Sequence, residues 1–371
     1  MSNLRQDCVK ATSSDAHSEP MRGARSLRVV GSSAAVERAC VRASNRRCLL
    51  SPGSKAAMRL FFFALLASAY AAFPTTVLYQ SPSGLLLENI AVRPNSKLLI
   101  TSVMSPTLFS LDPQAKNATL TPVHTFSGPN GTALTGIAEY APDTYAVVVS
   151  VIDSAERAAQ LGSVAIWRVD LTCTPPKVAR VARLPASHLT NGLSTVPGLP
   201  GVVLAAESVL GAVYAINMRN GAVRTLTQDA LLLPTPEANL GINGLHVHDK
   251  YLYATNAARG TLLRAPVATR PGSVALTGPF TVIGTVPEGS YGFDDFAIDD
   301  TGRVWVTVHP GSLSVFTPQK KGSWKEETVV PPGVLVVPTS VALARRKALE
   351  GVLYVATVDG KVVMVDTRKK A

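Results

Sequence analysis

One unit recurs six times along this chain of 371 residues, and the recurrence fixes what the chain can fold into. Each copy is a short strand, a polar turn and a strongly apolar return strand. The copies are "ENIAVRPNSKLLITSV" from Glu88, "TGIAEYAPDTYAVVVSV" from Thr135, "TNGLSTVPGLPGVVLAAES" from Thr190, "INGLHVHDKYLYATN" from Ile242, "FDDFAIDDTGRVWVTV" from Phe293 and "PTSVALARRKALEGVLYVATV" from Pro338. Their aligned starts fall near residues 88, 136, 191, 243, 294 and 339. A third alternating strand follows each: "TLFSLDP", "SVAIWRVDL", "GAVYAINM", "GTLLRAPV", "GSLSVFTP" and "GKVVMVDT". Looser segments such as "VARVARLP" and "FTVIGTVP" supply a fourth strand. No stretch sustains a helical period, and "DSAERAAQLG" near residue 155 forms a short helix at most. Six four-stranded units closed in a ring make an all-β, six-bladed β-propeller. "TTVLYQS", ahead of the first copy, is expected to complete the last blade and close the ring.

The innermost strand of every propeller blade begins at one face of the central channel, so the six starts converge although they lie about fifty residues apart. The residues there are Glu88, Asn191, Asn243 and Asp294, with Thr135 and Thr339 in the other two blades. Two carboxylates and two amides, without sulfur or imidazole, suit a hard divalent cation such as Ca²⁺ completed by water. On this reading Asp294 is a ligand, and Asp295 orients the loop or bonds to backbone. Asn-Gly and Asp before a strand are also ordinary turn chemistry, so each position alone has a purely local explanation.

Composition bears on compartment and partners. An apolar content of 46% with 16% charged residues supplies a large core. The net charge of +11 suggests nucleic acid until it is divided: residues 1–57 hold ten Lys/Arg against four Asp/Glu, and the rest has no basic run interleaved with aromatics. "MRLFFFALLASAYAAF", from Met58, has the basic start, apolar run and small-x-small sites of a secretory signal, and is too short to span a bilayer. The expected organisation is a gene-model extension or targeting leader over 1–57, a signal peptide over 58–71 and the propeller over 72–371, with no membrane span after signal removal. Cys8, Cys40 and Cys48 precede the mature region, leaving Cys173 alone, without a disulfide partner or a cysteine metal site. Sequons at Asn117 and Asn130 lie in Pro/Gly-rich stretches and are compatible with N-glycosylation of a secreted or luminal protein.

The segments "ENIAVR", "TNGL", "INGL", "DDFAIDDTGRVWV" and "PTSVAL" resemble the blade starts of the gluconolactonase/regucalcin-like propellers, relatives of the strictosidine synthase-like propellers. The resemblance runs from about residue 74 to the end and looks closest to a secreted fungal branch. It implies one divalent cation held by a Glu, one or two Asn and an Asp, which carry over to Glu88, Asn191, Asn243 and Asp294. Two departures stand against the lactonase reaction: "AAES", with Glu207, replaces the usual A-D-S stretch, and Asn89 follows Glu88 where a small Gly is usual. The fungal branch it resembles includes hetero-Diels–Alderases of secondary metabolism, which join a reactive quinone methide to a terpene. Such a step needs a shaped apolar pocket and no general base.

Three functions follow from different classes. The first is non-redox cyclisation in an apolar channel-mouth pocket; the second is cation-dependent lactone or ester hydrolysis; the third is a non-catalytic binding propeller. No serine-hydrolase elbow, HExxH, phosphate loop or dinucleotide fingerprint is present, so the expected partner is a small molecule without a nucleotide or redox cofactor. His188, just before "LTNGL", Tyr291 and Asp295 are the candidate catalytic residues. Phe293 is read either as an aromatic pocket wall or as loop packing. His246 and His248 alternate on one strand and read as a solvated or turn-supporting pair. His309 is expected at the far end of its blade from Asp294. Oligomeric state is not set by sequence.

Overall fold

Each of the six repeats folds into one antiparallel sheet in the computed structural model, which describes residues 73–126, 131–153 and 158–369. These lie in one compact unit, Leu66–Ala371. The leader, the signal segment and the sequon at Asn130 fall outside the described residues. The inner strands of blades 1 to 6 are Ile90–Val92, Ala133–Ala141, Thr190–Thr195, Ile242–His248, Gly292–Ile298 and Pro338–Leu343. Each touches the next, and the sixth touches the first, so the ring is closed. Blade 6 is finished by the N-terminal strand Thr75–Gln80, which pairs with Lys361–Asp366 as the sequence implies. Among the described residues there is no α-helix, and no helix long and apolar enough to cross a membrane.

The apolar return strands have a simple cause. A second strand lies inside its blade and has neighbouring blades on both faces, so both sets of alternating side chains are buried. In Val202–Glu207 of blade 3, Val203 and Ala205 pack toward blade 2, whereas Val202, Leu204 and Ala206 pack toward blade 4. In Val352–Thr357 of blade 6, Leu353 and Val355 face blade 5 and Val352, Tyr354 and Ala356 face blade 1. The buried apolar residues thus form six clusters, one between each adjacent pair of blades. Each fully buried Leu, Ile or Val contributes about 1.5–3 kcal/mol of transfer free energy. The ring is held by these wedges more than by any central core.

The inner strands share a second feature that positions the site. Pairing with the second strand breaks register across Thr135-Gly136, Asn191-Gly192, Asn243-Gly244 and Asp294-Asp295, and again beside Thr339. Each break is a β-bulge, which re-aims a side chain at the strand start. Hydroxyls near these bulges bond across to the next blade: Thr135 Oγ1 donates to Thr190 O at 2.8 Å, Thr255 Oγ1 to Asp294 O at 2.7 Å and Ser208 Oγ to Ile242 O at 2.6 Å. Thr339 Oγ1 donates to Leu87 O at 2.9 Å and joins blade 6 to blade 1. Thr135 and Thr339 are therefore occupied in holding the ring together, which is why they stand apart from the other four start residues.

Residues 154–157, in the segment expected to form a short helix at most, lie outside the described residues; on either side of them Ile152–Asp153 pairs antiparallel with Ala158–Ala159. One local expectation is corrected. Blade 4 has five strands, with Ser273–Leu276 added beside Thr261–Arg270.

Candidate functional site

Antiparallel pairing brings the start of each inner strand beside the end of its second strand. That end of the ring is the mouth, and the opposite end is the base. The pairing overturns the expected position of His309. Gly292 pairs with His309, so the return strand Val304–His309 ends where the inner strand begins. His309 Nε2 lies 3.2 Å from Asp294 Oδ2 and 3.2 Å from the carbonyl oxygen of Pro338. A backbone carbonyl only accepts, so Nε2 carries a proton and Nδ1 is left for another partner. Tyr291 packs against this imidazole, with ring centroids 5.5 Å apart and planes tilted by 57°. As a residue Tyr291 is 61% exposed at the rim.

Asn191, Asn243 and Asp294 occupy the bulge positions of their blades; Glu88 lies just ahead of the inner strand of blade 1, which pairs without a register break, and its backbone N–H donates to Thr101 O at 2.9 Å. Asn191 Oδ1 and Asp294 Oδ1 are buried oxygens without a hydrogen-bond partner. Burial, followed by the charges of Asp294 and Asp295, pushes the half-buried Glu88 carboxyl well above its ordinary pKa. Burial also raises Asp294, although the hydrogen bond and charge of His309 and the Asn243 amide pull the other way. Burial opposes a charged His309, but Asp294 outweighs it and holds the imidazole pKa above its ordinary value. Unpaired oxygens beside crowded carboxylates are the surroundings a divalent cation relieves. The donor set therefore fits a hard cation. Among the described residues no group of three or more His, Cys, Asp or Glu is arranged to hold a metal, and the set as it stands has two carboxylates and two amides.

Asp295 does not share this freedom. Its Oδ2 accepts from Asn89 Nδ2 at 2.8 Å and its Oδ1 from the Phe296 N–H at 2.8 Å, with His246 Nε2 3.6 Å away. Asn89 Oδ1 in turn accepts from the Ile90 N–H and lies 3.4 Å from Ser340 Oγ. These residues lie one position after the start residues, so they bridge the channel as a floor beneath them. The floor needs Gly244: a Cβ there would stand 2.2 Å from Asp295 Oδ1. The departure from Gly at position 89 is thus explained by its partnership with Asp295, and Asp295 positions the floor with its oxygens engaged.

The other expectations separate. Among the described residues no hydrogen bond, ion pair or ring contact joins the His188 imidazole to Asp294 or Glu88. The His188 backbone N–H donates to Glu207 Oε1 at 2.8 Å. Glu207 is fully buried and also accepts from the N–H groups of Leu189, at 2.9 Å, and Leu210. The "AAES" glutamate is a clamp for two mouth loops. Phe293 is buried edge-on against Phe316 at 5.8 Å, a contact within blade 5 that is part of the apolar cluster facing blade 4. His246 stands edge-on to Phe296 at 4.8 Å, and His248 lies 3.7 Å from Asp249. Asn117 is exposed on a base loop.

Sequence reasoning missed the rim. Among the described residues, six of the nine large apolar side chains most exposed to solvent lie on mouth loops: Met104, Leu161, Leu233, Tyr291, Val334 and Val336. The other three, Val77, Val223 and Val282, are on outer strands, and none is on a base loop. The loop that carries Val334 and Val336 enters blade 6 through Val337, whose φ of 42° is strained for a β-branched residue. The carbonyl of Pro338, which His309 holds, follows directly.

No protein-family model matches the chain. A candidate hetero-Diels–Alderase from Phoma sp is 26% identical over 315 residues, covering 76% of this chain and 86% of that protein. A second, from Sarocladium schorii, is 25% identical over 250 residues and matches 62% of each chain, so less than two thirds of that relative is spanned. Among solved structures, regucalcin from Agrobacterium tumefaciens, a calcium-binding protein, superposes with a TM-score of 0.56 at 18% identity, covering 80% of this chain and 94% of that one. A candidate gluconolactonase gives 0.54 at 14% identity over the same shares. These structural likenesses are of fold, and the resemblance to gluconolactonase/regucalcin-like propellers holds at that level.

Proposed function

We propose that this chain is a propeller enzyme that unites two apolar small molecules at the mouth by a hetero-Diels–Alder cycloaddition. The observation that carries the reading is the apolar rim around the Asp294–His309 pair. An exposed apolar surface of this kind marks a binding site for apolar partners and is unsuited to an aldonolactone, whose surface is hydroxylated. The curated relatives' description supports the same class.

The chemistry asks little of the protein beyond placement. In the cycloaddition one C–C and one C–O bond form together, and no atom or proton is lost. Rim side chains would hold diene and alkene in contact, where confinement supplies much of the rate. With Nε2–H committed to Asp294 and Pro338 O, a charged His309 presents Nδ1–H to the oxygen of the heterodiene. That hydrogen bond draws electron density from the diene and strengthens as the reaction proceeds. Tyr291 would cover the imidazole and form part of the pocket wall. A divalent cation held by Glu88, Asn191, Asn243 and Asp294 would supply Lewis-acid polarisation at the same place.

A second reading, cation-assisted lactone hydrolysis, is favoured by the unpartnered oxygens of Asn191 and Asp294. Secretion through the segment at Met58 and a glycan on exposed Asn117 belong to the proposal as well. The test offers the full chain an ortho-quinone methide generated in situ with a cyclic terpene alkene, and separately a panel of aldono- and aryl-lactones, each with and without chelator. The cycloaddition reading expects faster, stereoselective adduct formation and no lactone turnover. Chelator-sensitive lactone turnover without adduct would replace it with the second reading.

A further inference from the structure

The hairpin added to blade 4 builds a second candidate site, remote from the mouth and independent of the function proposed there. Strand Thr261–Arg270 runs beyond its blade and turns at Pro271-Gly272 into Ser273–Leu276, before Thr281–Thr285 returns to pair with its first half. The hairpin lies on the base side, where Arg224 of blade 3 donates across to the carbonyl oxygen of Val274. Between the hairpin tip and the blade 3 turn at 198–202 is a cleft of about 520 Å³. Its walls include Leu199, Pro200, Val202 and Pro271, and its charged members are Arg219 and Arg270.

No acidic side chain lines this cleft. Among the described residues neither guanidinium makes an ion pair or a side-chain hydrogen bond; the Arg219 backbone N–H donates to Asn217 Oδ1 at 2.9 Å. Other arginines on the base have side-chain partners: Arg93 is bidentate on Asp143, Arg303 bonds Asp299, Arg368 is bidentate on Asp366 and Arg346 bonds to Gln114 Oε1. Two unpaired guanidinium groups from different blades, facing one volume without a counter-charge, are set apart from that pattern. The planar guanidinium fork matches carboxylate and phosphate oxygens in bidentate fashion, and the volume falls in the range of small-molecule sites.

We propose that this cleft binds a small organic anion, its hydrocarbon body against Leu199, Val202 and Pro271 and its carboxylate or phosphate between Arg219 and Arg270. The test titrates the full chain with phenyl phosphate, benzoate and neutral phenol by calorimetry, for the wild type, Arg219→Ala, Arg270→Ala, the double variant and His309→Ala. Both arginines are at the surface, so the variants are expected to keep the wild-type melting temperature. The proposal expects saturable one-to-one binding of at least one anion and none of phenol. Each arginine variant should weaken it by roughly tenfold, as expected for loss of one charge-assisted contact, and His309→Ala should leave it unchanged. Whether phosphate or carboxylate binds tighter identifies the group. Absence of saturable anion binding, or binding that survives in the double variant, overturns the proposal.

Discussion

Asp294 and Asp295 are adjacent in sequence and opposite in role. Asp294 faces the mouth with one oxygen on His309 and the other unpartnered, whereas both oxygens of Asp295 are engaged by the floor. The distinction carries a pH dependence with a definite sign. Glu88 and Asp294 have raised pKa values, so the folded state holds these protons more tightly than the unfolded chain and stability is lost as pH rises above the ordinary values of 4.5 and 3.8. His309, also raised, contributes stability that is complete below its ordinary 6.5 and is lost above it. Asp143 and Asp299 are lowered and act in the opposite sense, but only on acidification below 3.8. In chelator the melting temperature should therefore fall between about pH 5 and pH 8, and calcium should restore most of the loss at the upper end, an effect removed by Asp294→Asn. A melting temperature that rises over that interval in chelator would contradict the assignment. Gly244→Ala tests the floor. Its Cβ must displace Asp295, so calorimetry should show weaker calcium binding together with a stability loss of about 1–3 kcal/mol. Unchanged values would mean the floor has no bearing on the site above it.

At the scale of strands, the bulge and the two-faced second strand explain most of the molecule. A Leu204→Ala substitution opens a cavity between blades 3 and 4 and should cost about 2–5 kcal/mol in denaturant unfolding. Calcium binding should be retained, because Leu204 sits in the apolar wedge between blades 3 and 4 and pairs with Ser194, three residues along the inner strand from Asn191. Thr339→Val removes the hydroxyl that ties blade 6 to Leu87 and leaves that buried carbonyl without its donor, for which about 1–3 kcal/mol is expected. Equal stability of that variant would show that the apolar wedges close the ring without it. The repeat made six blades, their inner strands and the closing N-terminal strand legible, because period-two alternation and turn residues are local signals. The hairpin of blade 4 was not legible: its second strand, "SVAL", is short, and its pairing depends on an extended neighbour that could equally have stopped at the blade edge.

For the whole molecule, what the sequence concealed is the sorting of side chains between faces. Convergence of Glu88, Asn191, Asn243 and Asp294 could be read from repeat phase alone, since equal phase in a closed ring means equal height. The position of His309 required the rule that antiparallel partners return to their starting face. The apolar rim could not be read, because Met104, Leu161 and Val336 sit in loops of unequal length that share no phase. That sorting gives the mouth an apolar rim and an acidic centre, while basic side chains outnumber acidic ones on the base loops. The field so arranged favours a cation at the centre and leaves the rim to hydrocarbon. The most direct test of this account is the stereochemical outcome of the cycloaddition, measured by chiral chromatography for the wild type, His309→Ala and Arg270→Ala. The account predicts one dominant enantiomer from the wild type and from Arg270→Ala, and a slower, nearly racemic product from His309→Ala. A racemic adduct formed at the uncatalysed rate by the wild type, or full selectivity retained by His309→Ala, would contradict it.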